Sequence, residues 1–121
     1  MKHCLVVDDS RVVRKVTCRI LEQLEFEVDE AENTASALKA CRENMPDAIF
    51  LDAHLDHAGS FEFLRVLRRE KNGDHPVVVF CTAENNVQRI TEALGAGAND
   101  YLLKPFDRDV LQDKLTQVGL L

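Results

Sequence analysis

Short apolar runs and longer amphipathic stretches alternate along the whole chain, and no other feature limits the possible folds so tightly. Apolar runs occupy 3–7 (HCLVV), 47–51 (DAIFL), 76–81 (PVVVFC) and 100–103 (DYLL), with a weaker one at 26–30 (FEVDE). Those at 47–51 and 76–81 are nearly continuous hydrophobics. A strand of this kind is covered on both faces, as in a parallel sheet. Between the runs, apolar residues step by three or four. Val13, Val16, Ile20 and Leu24 predict a helix over 11–24 with one apolar stripe. Leu38, Cys41 and Met45 predict a second after Asn33, a good N-cap. Phe61, Leu64 and Leu67 mark a third, with Ser60 able to cap it. Val87, Ile90 and Leu94 mark a fourth, ended by Gly95 and Gly97. Leu111, Leu115 and Val118 mark a fifth, starting near Asp107.

The order is therefore β-α repeated five times. Such alternation with short connections implies an α/β fold, a parallel sheet with helices on both faces and right-handed crossovers. A chain of 121 residues fits one domain, and no linker or low-complexity tract divides it. No run approaches the roughly 18 apolar residues of a membrane span, and no secretory h-region opens the chain, so a cytoplasmic location is expected. Fifteen basic against twenty-one acidic residues give a net charge of -6, which disfavours unaided nucleic-acid binding. The groups Arg65/Arg68/Arg69 and Arg11/Arg14/Lys15 read as solvated helix faces. Cys4, Cys18, Cys41 and Cys81 form no CxxC pair, and Cys4 and Cys81 read as small buried hydrophobes. A redox role for Cys81, which precedes Thr82, is the alternative.

In doubly wound sheets, functional groups gather beyond the carboxyl ends of the strands. The residues there are Asp8 and Asp9 after the first strand, Asp52 after the third, Thr82 after the fourth and Lys104 after the fifth. Each alone has an ordinary explanation. An Asp pair suits a helix N-terminus, a Thr ends many strands, and Lys-Pro makes a turn. Their joint occurrence at four strand ends does not. Three crowded carboxylates repel one another unless a cation compensates, and Lys104 and a divalent ion are the two available. Mg²⁺ takes hard oxygen ligands, and Asp9 and Asp52 can supply them with Asp8 close by. A carboxylate beside Mg²⁺, a hydroxyl and an ammonium make a phosphoryl-acceptor site, with Asp52 as nucleophile.

At this point the chain resembles a receiver domain of the bacterial two-component response regulators, with single-domain chemotaxis-type regulators nearest in layout. The resemblance is carried by VVDDS at 6–10, IFLD at 49–52, CTAE at 81–84 and AGANDYLLKPF at 96–106, and it spans all 121 residues. It implies a flavodoxin-like fold of strand order 2-1-3-4-5, with 1–121 as one receiver and no output domain. It also implies that Asp52 receives phosphate from a histidine kinase or a histidine phosphotransfer protein. Asp8, Asp9, Asp52 and the backbone carbonyl of His54 would hold Mg²⁺. Thr82 would be the switch hydroxyl and Tyr101 the switch aromatic. Lys104 would contact the phosphoryl group, with a cis bond to Pro105. The output surface would be the fourth helix, fifth strand and fifth helix, at Glu84, Gln88, Glu92, Tyr101 and Lys114, and would bind a protein partner. Such a domain is no enzyme beyond its own phosphorylation and dephosphorylation.

The loop LDAHLDHAGSF at 51–61 departs from the family pattern. Leu55-Asp56 stands where Met-Pro is common, and Gly59-Ser60 where Asp-Gly is usual. Without proline the backbone has more freedom, so a more mobile loop and weaker Mg²⁺ positioning are expected. His54, two residues after Asp52, and Glu84, two after Thr82, hold places that tune dephosphorylation in the family. A transition-metal site from His54, Asp56 and His57 is a further alternative. Two rival functions remain open on sequence: a haloacid-dehalogenase-type phosphatase, which needs an acid where His54 stands, and a receiver fold that binds partners without phosphate.

Overall fold

A computed structural model describes residues 2–55, 59–83 and 85–121. The chain alternates β1 (His3–Val7), α1 (Arg11–Gln23), β2 (Glu27–Ala31), α2 (Thr34–Glu43), β3 (Ala48–Asp52), α3 (Gly59–Arg69), β4 (Val77–Thr82), α4 (Val87–Ala96), β5 (Asp100–Leu103) and α5 (Arg108–Gln117). The five strands form one sheet of order β2-β1-β3-β4-β5, and every described pairing is parallel. This is the flavodoxin-like order that the resemblance implies.

Each central strand sends alternate residues to opposite faces, as the pleat requires. Leu5 and Val7, Ile49 and Leu51, and Val78 and Phe80 join Ala37, Cys41, Phe61, Leu64 and Leu67 beneath α2 and α3, with Ala93 of α4. Cys4 and Val6, Ala48 and Phe50, and Val79 and Cys81 join Cys18, Leu21, Leu111 and Leu115 beneath α1 and α5. Two cores on one sheet explain why β3 and β4 read as continuous hydrophobics. β2 is an edge strand whose only fully buried residue is Ala31, and its sequence is correspondingly polar.

Four helices begin at side-chain caps. Ser10, Asn33, Asn86 and Asp107 accept from the backbone N–H three residues on, satisfying donors that a helix start leaves unpaired.

Several expectations need correction. Val16 of α1 is 52% exposed, and the inward residues are Thr17, Cys18 and Leu21. Thr17 takes an inward place because its hydroxyl donates to the Val13 carbonyl at 2.8 Å, so no buried polar group is orphaned. A stripe counted from apolar residues alone misses such a residue. On α4, Val87 and Leu94 are exposed while Ile90 and the small Ala93 face the sheet. Met45 lies beyond α2, because the residue before Pro46 is pushed out of helical geometry. Gly95 is helical, and Gly97, with φ 129°, ends α4. Ser60 is the second residue of α3 rather than its cap.

The basic helix faces are not all solvated either. Arg14 donates to Glu30 at 3.1 Å and to the Asp8 carbonyl at 2.8 Å. Arg68 uses all five of its N–H donors. Nε and Nη2 reach the Gly97 carbonyl (2.9 and 2.8 Å), Nη2 also reaches Asn99 Oδ1 (2.8 Å), and Nη1 reaches the Gly73 and Pro76 carbonyls (2.8 and 2.9 Å).

All four cysteines are free thiols in the core. Burial pushes Cys4 and Cys81 up to about 12 and Cys18 and Cys41 up to about 11. The thiolate is the reactive form, so these groups are inert while the fold is intact. A thiol-specific disulfide reagent at neutral pH should label none of them in the native protein and all of them after denaturation.

Candidate functional site

The loops at the carboxyl ends of β1, β3 and β5 bring four of the expected residues into contact. Asp8 and Asp52 are each 4% exposed, whereas Asp9 is open to solvent. One carboxylate oxygen from each of the three lies within 4.8 Å of the others. Lys104 Nζ bridges two of them, donating to Asp8 Oδ2 at 2.7 Å and Asp52 Oδ1 at 3.0 Å.

Local geometry sets each member. Asp8 Oδ1 accepts from the Ser10 amide (2.9 Å) and its carbonyl from Arg14 Nη1 (2.8 Å), so the β1–α1 turn is fixed from both sides. Asp52 is the last residue of β3, and its Oδ1 also accepts from the His54 amide (3.2 Å). Ser60 Oγ donates to the Asp52 carbonyl at 2.6 Å, tying the start of α3 to the end of β3. Thr82 ends β4 and is buried; its carbonyl accepts from the Lys104 amide at 2.8 Å. The Lys104–Pro105 bond is cis.

The electrostatics follow from the count. Three carboxylates against one ammonium leave this cluster at a formal -2, and two of the carboxylates are out of water. For Lys104, burial pulls the ammonium's pKa down, but its hydrogen bonds to Asp8 and Asp52 and their charges outweigh this and raise it overall. The lysine therefore stays charged at neutral pH. The residual charge and the all-oxygen donor set fit a hard divalent cation such as Mg²⁺. The Cys81 thiol is raised by burial and by Asp8 and Asp52 and lowered only by Lys104. That opposes redox chemistry there.

The other named positions fall elsewhere. Tyr101 is 37% exposed on β5, with Lys114 Nζ 5.5 Å from its ring centroid. Lys114 is not freely exposed as expected, because its ammonium also donates to Asp100 Oδ1 at 3.1 Å. Gln88 and Glu92 are exposed on α4, and Glu84 lies outside the described residues. His54 is exposed, while Asp56 and His57, the other members of the alternative metal site, lie outside the described residues. So does part of the loop expected to be mobile. Sequence reasoning missed the second ring of residues, Arg14, Ser60 and Arg89. Arg89 Nη2 donates to the Ala53 carbonyl at 2.5 Å. No sequence signal marks these roles, because each side chain acts on a backbone carbonyl, and for Arg89 that carbonyl is 36 residues away.

Comparison with known proteins bears on this arrangement. Residues 4–116 match the response regulator receiver domain family. The phosphate regulon transcriptional regulatory protein PhoB of Klebsiella pneumoniae is 34% identical over 117 residues, covering 97% of this chain and 51% of that protein. The chain thus spans about half the length of the PhoB relatives it matches. The chemotaxis protein CheY of Halobacterium salinarum is 32% identical over 118 residues, covering 97% of this chain and 96% of that one. Among solved structures, chemotaxis response regulator CheY4 of Vibrio cholerae superimposes with a TM-score of 0.91 at 27% identity, covering 98% of each chain. The receiver domain of sensor histidine kinase PA1611 from Pseudomonas aeruginosa, with a TM-score of 0.86 at 29% identity and covering 96% of this chain and 95% of that one, has a magnesium ion coordinated in its active site cleft. With the fold, the acidic cluster and this match over nearly its whole length, the chain belongs to the response regulator receiver domain family of two-component systems.

Proposed function

We propose that this chain accepts a phosphoryl group on Asp52 from a phosphohistidine, on a histidine kinase or a phosphotransfer protein, in a Mg²⁺-dependent reaction. A cytoplasmic setting fits this role, and no helix among the described residues is long and apolar enough to cross a membrane. The observation that carries the reading is the Lys104 bridge between Asp8 and Asp52, with Asp9 alongside, at the carboxyl edge of the sheet. A carboxylate oxygen of Asp52 attacks phosphorus, the P–N bond breaks, and the imidazole leaves with its electron pair and takes a proton. Lys104 is held where it meets charge on the transferred group, and Thr82 offers a hydroxyl at the neighbouring strand end. Asp8, Asp9, Asp52 and the His54 carbonyl would hold Mg²⁺, which supplies positive charge to the phosphoryl oxygens. Burial of Asp52 limits the water that competes as a nucleophile.

The signal would leave through the α4-β5-α5 face, in an expected Thr82/Tyr101 switch. This face exposes Val87, Leu94, Tyr101, Leu103 and Val110, an apolar set suited to a protein partner rather than a nucleic acid. Tyr101 lies outward, 37% exposed, and the expected switch would turn it inward. Phosphorylation shifts this equilibrium only as far as the phosphoryl group favours the inward state.

An apolar groove beside Lys104 would receive the donor. Val12 and Val16, 73% and 52% exposed, face Pro105 and Phe106 across a groove of about 180 Å³ that ends at Lys104. An apolar helix face seated there would bring its phosphohistidine to Asp52. Val16→Asp should then lower kcat/KM for transfer from a phosphohistidine protein by about 10- to 100-fold, as loss of a central apolar anchor does. Phosphorylation by a small acyl phosphate should stay within about twofold, because that donor uses no protein interface. Equal losses with both donors would overturn the docking assignment.

A further inference from the structure

We propose that Arg89 is a positioning residue for phosphoryl transfer at Asp52, acting through the Ala53–His54 peptide, and that it couples this peptide to α4. The proposal rests on the phospho-acceptor reading of Asp52.

The Ala53–His54 peptide is gripped at both ends. Its N–H, on His54, donates to Asp52 Oδ1 at 3.2 Å, and its carbonyl, on Ala53, accepts from Arg89 Nη2 at 2.5 Å. A peptide unit is planar, so holding its oxygen also fixes the direction of its N–H. Arg89 thereby keeps one amide aimed at the acceptor carboxylate and presets the path on which the His54 carbonyl follows. The Ala53 amide, in the preceding Asp52–Ala53 peptide, donates to the Cys81 carbonyl at 2.8 Å, so the chain is anchored to β4 just before the peptide that Arg89 holds.

The arginine is itself held firmly. Its guanidinium carbon lies 5.0 Å from the Phe61 ring centroid, and Phe61 stacks on Phe80 of β4 with centroids 5.8 Å apart. A cation over an aromatic face and a charged donor on a carbonyl are both stronger out of water. Asn86 caps α4 by accepting from the Arg89 amide at 3.2 Å, which fixes where the side chain begins. With Leu55-Asp56 in the loop, no proline restrains the backbone after Asp52. Arg89 supplies a restraint from outside the loop, and its origin is the first turn of the helix on the proposed output face. Whatever reorients the Ala53–His54 peptide must therefore pull on α4, and a displaced α4 must loosen the peptide.

The test compares the ¹⁵N-labelled wild type with Arg89→Gln and Arg89→Lys, first without metal and then with Mg²⁺ alone as the titrant. In metal-free Arg89→Gln, the His54 amide should exchange with solvent about tenfold faster, because its hydrogen bond opens more often. The Mg²⁺ Kd should rise about tenfold, as when a group orienting a metal ligand is removed. The initial phosphorylation rate from a small acyl phosphate at subsaturating Mg²⁺ should fall by about the same factor. Amide shifts that Mg²⁺ causes at Val87–Ala93 in the wild type should vanish in Arg89→Gln while those at Asp8, Asp9 and Asp52 persist, a split that a merely structural role would not give. Arg89→Lys keeps the charge without the planar fork and should lose about threefold in each measurement. Should Arg89→Gln fail to fold, Arg89→Lys decides by the same measurements, and wild-type values overturn the proposal. A wild type that is phosphorylated beside an Arg89→Gln protein with unchanged exchange and Mg²⁺ Kd overturns the Arg89 assignment alone. A wild type that takes no phosphoryl group overturns the acceptor reading, and this one with it.

Discussion

Lys104→Ala is expected to lower the rate of Asp52 phosphorylation from a small acyl phosphate by at least about 100-fold, the usual cost of removing one preorganised donor from developing negative charge. The geometry makes the lysine hard to replace. Its ammonium is the sole cation bridging Asp8 and Asp52 among the described residues, at 2.7 and 3.0 Å, and both carboxylates are 5% exposed at their side chains. The variant should also be less stable by about 2–4 kcal/mol in metal-free buffer, since two desolvated carboxylates lose their partner. Added Mg²⁺ should stabilise the variant more than the wild type, because the ion then replaces charge that the protein no longer supplies. The pH dependence has a definite sign. Lys104 has its pKa raised in the folded state above the ordinary 10.5, so its stabilisation is fully present below that ordinary value. It is lost only as pH rises through the raised value. Urea unfolding of both proteins should therefore show an undiminished difference from neutral pH to about pH 10.

The largest effect on stability is expected at a residue remote from the phosphoryl chemistry. Arg68→Ala should cost about 3–4 kcal/mol, read from the midpoint of a denaturant titration with unchanged slope. Arg68 links the end of α3 to the Gly73–Pro76 turn and to the α4–β5 connection, and each of its five donors meets an oxygen. Truncation strands several of those acceptors, of which Gly73 and Pro76 belong to buried residues. Arg68→Lys should recover only part of the loss, because an ammonium has three donors and no fixed fork. Gly97 belongs to the same fit. Its φ of 129° disfavours any side chain, and a Cβ there would stand 2.8 Å from Arg68 Cγ.

What the sequence disclosed and what it hid follow from the range of the forces involved. Strand positions were legible because β3 and β4 are buried on both faces and must be apolar throughout. Of the helix starts, Asn33 and Asp107 were legible from the short polar side chains that caps require, whereas Ser60, read as a cap, lies inside α3 and the caps Ser10 and Asn86 went unread. The contacts among Asp8, Asp9, Asp52 and Lys104 were legible because parallel topology sends every strand's carboxyl end to one rim. Helix rotation was not. Thr17 replaces Val16 inside α1 by satisfying its hydroxyl on Val13, a local bond that apolar counting ignores. The arginines were hidden for a different reason. Arg14, Arg68 and Arg89 bind carbonyls of Asp8, Gly97 and Ala53, and a carbonyl carries no sequence signature.

The central claim is that Asp52 is a phosphoryl acceptor. Its most direct measurement is the intact mass of wild type and Asp52→Asn after incubation with Mg²⁺ and a small acyl phosphate. The wild type should gain one phosphoryl group, lost on brief treatment with base or hydroxylamine and absent when Mg²⁺ is chelated, while Asp52→Asn gains none. An unmodified wild type, or equal labelling of the two proteins, would contradict the account.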